Sequence, residues 1–141
     1  MSHKFNHGAV KYLVAISIFK PKCIWISKMS RGARHDLDMF RSELKHKIRF
    51  GKRVVADRGF ASSKPDEQML CTPSNSDSKE FNNFTSRARM RHETFNGRMK
   101  FYKCLSETFR HEWAKHQYVF EAVAVTIQYQ MDNGQPIFDV V

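Results

Sequence analysis

Two carboxylates stand in contexts that ordinary packing does not require. Asp57 closes an apolar run in Val54-Val55-Ala56-Asp57-Arg58-Gly59-Phe60, and Glu93 sits inside the basic stretch 87–100. A short apolar run ending in Asp and then Gly reads as a buried strand that delivers a carboxylate to its exposed C-terminal end, where open α/β sheets place their ligands. Glu93, with thirty-five residues between it and Asp57, is the natural partner. Two carboxylates about 4 Å apart repel by about 1 kcal/mol in water and about 4 kcal/mol at the effective dielectric near a protein surface. A fold that converges them therefore needs a proton or a metal, and with a divalent ion there the neighbouring Arg and Lys side chains would hold a nucleic-acid backbone beside it. Each residue also has a plainer reading: Asp57 as the cap of the next turn, Glu93 as a counter-charge for its basic neighbours.

Other chemistry-bearing residues group around these two. On a helix through the basic stretch, Arg89, Glu93, Asn96 and Lys100 share one face by three- and four-residue spacing. Asn96 and Lys100 would support Glu93, while Arg89, Arg91 and Arg98 are candidates for backbone phosphates. Asp36, preceded by His35, opens an amphipathic segment, so the N-cap reading comes first, and a place as metal ligand or as support for one comes second; His35 is a candidate for the same supporting place. His3 and His7 have metal-compatible spacing only on a helix, which Gly8 and the following strand oppose; they read as a tail. His92 falls off the Glu93 face, and His92, His111 and His116 read as structural. Phe101, Tyr102, Phe109 and Trp113 can stack bases, but at helical spacing they read as core. No G-x-G-x-x-G, P-loop, H-E-x-x-H or G-x-S-x-G pattern is present.

The elements that must position these groups follow from periodicity and turn chemistry. Residues 12–19 and 23–27 read as two strands around Pro21, a hairpin. Leu37, Phe40, Leu44 and Ile48 recur at helical spacing from Asp36 to about Phe50, ended by Gly51. Residues 52–57 form a third strand, short and apolar at its centre. Residues 61–85 are rich in Pro, Ser, Asn and Asp and read as a flexible loop with a short strand near Met69 and Leu70. A helix follows from about Thr85 to Lys103, with Met90, Phe95 and Met99 on its packing surface. A last one runs from about His111 to Met131, with Trp113, Tyr118, Val119, Ala122, Val123 and Ile127 available for the core.

The whole chain suits one domain: 141 residues, 41% hydrophobic, with twelve Phe. No apolar run approaches the ~20 residues that span a bilayer, and no secretory leader is evident, so the expected address is intracellular with no membrane. Cys23, Cys71 and Cys104 form no C-x-x-C pair and suggest neither a disulfide framework nor a zinc site. With 24 Lys and Arg against 14 Asp and Glu the formal charge is +10, and residues 1–35 contain no acidic residue. That balance favours a polyanionic partner, nucleic acid first.

Four segments together resemble the DDE-type endonuclease domain of Harbinger-like transposases: residues 31–41, residues 54–60, residues 89–100, and residues 109–111 with the ending at 132–138. The resemblance covers nearly the whole chain. It implies an α/β, ribonuclease-H-like fold in the order β-β-α-β followed by C-terminal helices. It also implies three carboxylates holding divalent ions, Mg2+ or Mn2+, for phosphodiester cleavage and strand transfer. By this resemblance Asp57 is the second carboxylate and Glu93 the third. The first belongs to a strand ahead of residues 12–19, so the chain is expected to be N-terminally truncated, lacking that strand and its Asp, with cleavage weak or lost. DNA, a separate DNA-binding partner protein and a nuclear address are the implied associations. The alternative is a non-catalytic basic module for nucleic acid or protein, in which the carboxylates are leftovers.

Overall fold

The computed structural model describes residues 2–5, 8–107 and 109–140, with side chains described from Val10 onward. Strands β1 (Ser2–Phe5) and β2 (Gly8–Lys11) pair antiparallel, and β5 (Ser30–Arg31) takes the other edge of β2. Strands β3 (Val14–Ile16) and β4 (Cys23–Ile26) form the expected hairpin, Val14 opposite Ile26. The two ladders are stitched where they meet: Leu13 N–H donates to Ser27 Oγ at 2.8 Å and Ser27 N–H to the Leu13 carbonyl at 2.9 Å. The ribbon runs across this junction, where a hydroxyl replaces a ladder bond. The tail reading of the first residues is corrected, since His3 lies in β1; His7 lies outside the described residues. These strands pair through backbone groups, which a polar stretch supplies as well as an apolar one.

After the ribbon, α1 (Asp36–Met39) continues as a wider turn over Phe40–Leu44 and a tight one over Lys45–Lys47. Gly51, at φ +82°, turns the chain out of it. The Leu37, Phe40, Leu44 and Ile48 stripe packs with Leu13, Met39, Trp25 and Phe60 in a small core of its own. Strand β6 (Val54–Val55) then pairs parallel with β7 (Leu70–Cys71), the short strand expected inside the 61–85 segment.

Helix α2 (Lys79–Lys100) begins six residues earlier than its composition suggests, because Ser78 Oγ accepts the Phe81 N–H at 3.2 Å and caps it. Glu80 in its first turn and Arg98 and Lys100 in its last complement the helix dipole. After α3 (Lys103–Ser106), α4 (Trp113–Asp132) closes a mixed α/β fold of small sheets and helices. The main core joins Tyr12, Phe95, Met99, Leu105, Phe120, Val123, Ile127 and Met131, with Tyr12 and Phe120 stacked at 3.9 Å between ring centroids. Expected core positions Met90, Phe101, Trp113, Tyr118 and Ala122 are exposed instead. On α4 the buried face is His116, Phe120, Val123, Ala124, Ile127 and Met131, a stripe rotated from the expected one.

Glu67 pins the second core to its surroundings. It accepts hydrogen bonds from Arg41 Nε at 2.8 Å, Arg41 Nη2 at 2.9 Å and Lys45 Nζ at 3.0 Å, and from Ser62 Oγ. The Arg41 guanidinium first, with Ser62 and Lys45 behind it, holds this carboxyl well below the usual range despite burial. Such a group stabilises the fold fully above the unfolded pKa of about 4.3 and loses that contribution as pH falls. Glu67→Gln should therefore lower the urea midpoint at neutral pH and flatten its decline below about pH 4.5. Identical acid limbs in wild type and variant would contradict this role.

Candidate functional site

Asp57 lies where its strand ends. Ala56 N–H donates to the Cys71 carbonyl at 3.0 Å, the last bond beside the β6–β7 pair, and Asp57 then leads, fully extended, into a tight turn over Arg58–Phe60. Its side chain makes no capping hydrogen bond and is exposed, which leaves the carboxylate open to a ligand. The plainer reading of Asp57 as a turn cap is thus not what the geometry delivers.

Asp36 meets it at Gly59. Helix α1 packs against the Arg58–Phe60 turn, and a Cβ built on Gly59 would stand 3.0 Å from Asp36 Oδ2 and 3.5 Å from Asp57 Oδ1. Both carboxylate oxygens therefore face one small space, which a side chain at 59 would fill. Asp36 is the first residue of α1 and caps nothing: His35 holds the cap position, exposed and without a side-chain bond. The other oxygen of Asp36 binds Lys11 Nζ at 2.5 Å, and the same ammonium donates to the Arg34 carbonyl at 3.0 Å. Lys11 escaped the sequence reading; its only signal is a lone cation inside a strand, beside the buried Tyr12.

Glu93 is exposed on α2, which packs against β6, and it has no ion pair within 4 Å among the described residues. Its neighbour His92 was expected to be structural, and its ring reaches across to the ribbon: Nε2 donates to the Val14 carbonyl at 2.8 Å while Nδ1 accepts from Asn96 Nδ2 at 3.2 Å. Those partners set the tautomer, with the proton on Nε2. Burial pushes its pKa down, opposed by the Val14 carbonyl and by the negative charges of Asp57 and Glu93. One imidazole thus feels both carboxylates. Two buried polar atoms on the same helix lack a protein partner, Asn96 Oδ1 and Arg89 Nε.

The remaining basic candidates divide. Arg91 is corrected as a phosphate contact: it is 1% exposed, and it donates from Nε to the Phe138 carbonyl at 2.9 Å and from Nη1 to the Ser17 carbonyl. Arg98 is half-buried and donates to the Gln135 and Pro136 carbonyls at 2.5 and 3.2 Å. Arg87 reaches the Asp139 and Val140 carbonyls. All these hydrogen-bond acceptors are neutral carbonyls; the Asp139 carboxylate supplies some opposite charge to Arg91. Lys100 is exposed, two helical turns beyond Glu93.

The donor set is hard oxygen, the kind that suits Mg2+ or Mn2+, ions that keep several waters and need only one or two protein carboxylates. The oxygens that the fold brings together are Asp36 Oδ2 and Asp57 Oδ1 at Gly59, while Glu93 stands exposed on α2. No cluster of three or more metal-ligating side chains occurs among the described residues. A family model described as DDE superfamily endonuclease matches residues 1–127. No curated protein and no solved structure matches the chain.

The field at His92 gives a direct check. Its imidazole should titrate below the usual value near 6.5, so that this group removes stability as pH falls under that value. Asp57→Asn and Glu93→Gln should each lower its midpoint further in an NMR titration. A midpoint indifferent to both substitutions would contradict a field from both carboxylates at His92.

Proposed function

The chain belongs to the DDE superfamily endonucleases, and on that premise we propose that it is a transposase-derived, Harbinger-like domain that binds DNA and a divalent metal ion through Asp57 and Glu93. Endonucleases of this superfamily generally use divalent metals. The observation that carries the reading is the meeting of Asp36 and Asp57 carboxylate oxygens at Gly59, just past β6, the strand against which α2 packs. A ribonuclease-H-like arrangement of the strands, a separate DNA-binding partner protein and a nuclear place of action belong to the same proposal.

Each residue has a part derived from its surroundings. Asp57 and Glu93 hold the ion; when bound, it would acidify water and stabilise charge on the phosphoryl oxygens. Asp36, oriented by Lys11, adds negative potential beside Asp57. His92, with both ring nitrogens engaged, orients α2 against β3 and carries no proton in the reaction. Arg89, Arg98 and Lys100 line α2 with positive charge for the strand backbone. Cleavage is slow, because the third carboxylate near the site, Asp36, already shares its charge with an ammonium.

That same ammonium favours a second reading, a basic nucleic-acid module without catalysis. At Gly59 a lysine already balances part of the charge that a metal would neutralise. Plasmid nicking separates the two. Slow Mn2+-dependent conversion of supercoiled to open circular DNA is expected, abolished by Asp57→Asn and by Glu93→Gln while salt-dependent DNA binding remains. DNA binding indifferent to chelator and to Glu93→Gln, with no nicking, would select the second reading.

A further inference from the structure

A glycine that costs stability without packing against anything asks for an external reason. Gly97 sits in the last third of α2, where Ala would favour the helix, yet a Cβ built on it would find no atom within 4 Å. Neither a left-handed turn nor close packing within the chain requires glycine there. What its missing side chain does is deepen a cleft of about 690 Å³, within the size range of ligand sites. The cleft opens one turn from Glu93, on the same side of the helix by four-residue spacing.

The cleft's walls have a definite chemistry. Phe101, 86% exposed, offers an open ring face, set edge-on to Tyr102 with ring planes at 86°. In the same lining Gln130 and Gln135 bring amides that both donate and accept, and Arg98 brings a charge that is in no ion pair among the described residues. No carboxylate lines the space. An exposed aromatic ring, amide groups and an uncompensated guanidinium match a nucleotide: a planar base to stack, base edges to bond, and a phosphate to neutralise.

We propose that the cleft at Gly97 receives an unpaired nucleobase, stacked on Phe101, from the DNA strand that runs past Glu93. The inference rests on the DNA reading above and adds to it a single-stranded segment next to the carboxylates. Gly97 is there so that the base can approach the helix backbone.

Two variants test this by anisotropy titration with a labelled oligothymidylate and a duplex of equal length. Gly97→Ala should raise Tm by about 3 °C while weakening single-strand binding at least about fivefold, opposite signs that misfolding cannot produce. Phe101→Ala should weaken the same binding by about fivefold or more and leave duplex binding, which the backbone dominates, within about twofold. Unchanged single-strand affinity in both variants, or duplex binding by a wild type that ignores the single strand, overturns the inference alone. Binding of neither probe overturns the DNA reading together with it.

Discussion

Everything this chain can do chemically depends on where α2 is seated. Its buried stripe, Thr85, Ala88, Phe95 and Met99, supplies apolar contact, but apolar contact alone leaves a helix free to slide. Directional bonds set the register. His92 donates to the Val14 carbonyl of β3, and Arg91 reaches the carbonyls of Ser17 and Phe138. A buried donor that loses its partner costs about 1–3 kcal/mol, so a shift of α2 by one residue is opposed at several points at once. With that register held, the helix lies over β6, whose chain continues into Asp57, while Glu93 stays in solvent.

The electrostatics divide between compensated and uncompensated charge. Glu67 is matched by Arg41 and Lys45, and the result is structural. Among the described residues Asp57 and Glu93 have no such match, and Arg87, Arg91 and Arg98 of α2 hydrogen-bond to neutral carbonyls of the segment that follows α4 and of Ser17. The molecule thus keeps open carboxylates and open positive charge on neighbouring surfaces, an arrangement that stability alone does not call for. Lys11 stands between these regimes: it satisfies one oxygen of Asp36 and leaves the other facing Asp57.

Local chemistry made part of this legible in sequence. The strand-end position of Asp57 was readable from an apolar triplet followed by Asp-Arg-Gly, because strand burial and turn formation are decided within a few residues. The hairpin, the short strand at Leu70 and the two long helices were readable for the same reason. The approach of Asp36 to Asp57 was not, since it depends on α1 packing against a turn twenty residues on. Arg91 read as a solvent-facing cation by default; its burial depends on carbonyls 47 and 74 residues away. The rotated stripe on α4 has another cause. That helix carries aromatic groups on more than one face, Tyr118 in solvent and Phe120 in the core, with Trp113 half-exposed at the start of the buried stripe and stacked on His116, so periodicity alone did not select the buried face.

The central claim is that Asp57 and Glu93 share one divalent ion, and paramagnetic broadening tests it most directly. Mn2+ titrated into isotope-labelled protein should broaden amide signals at Asp57, Gly59, Asp36 and Glu93 together, at one ion per chain, with the effect lost in both Asp57→Asn and Glu93→Gln. Broadening confined to one of the two carboxylates, or spread evenly over the acidic surface, would contradict the account.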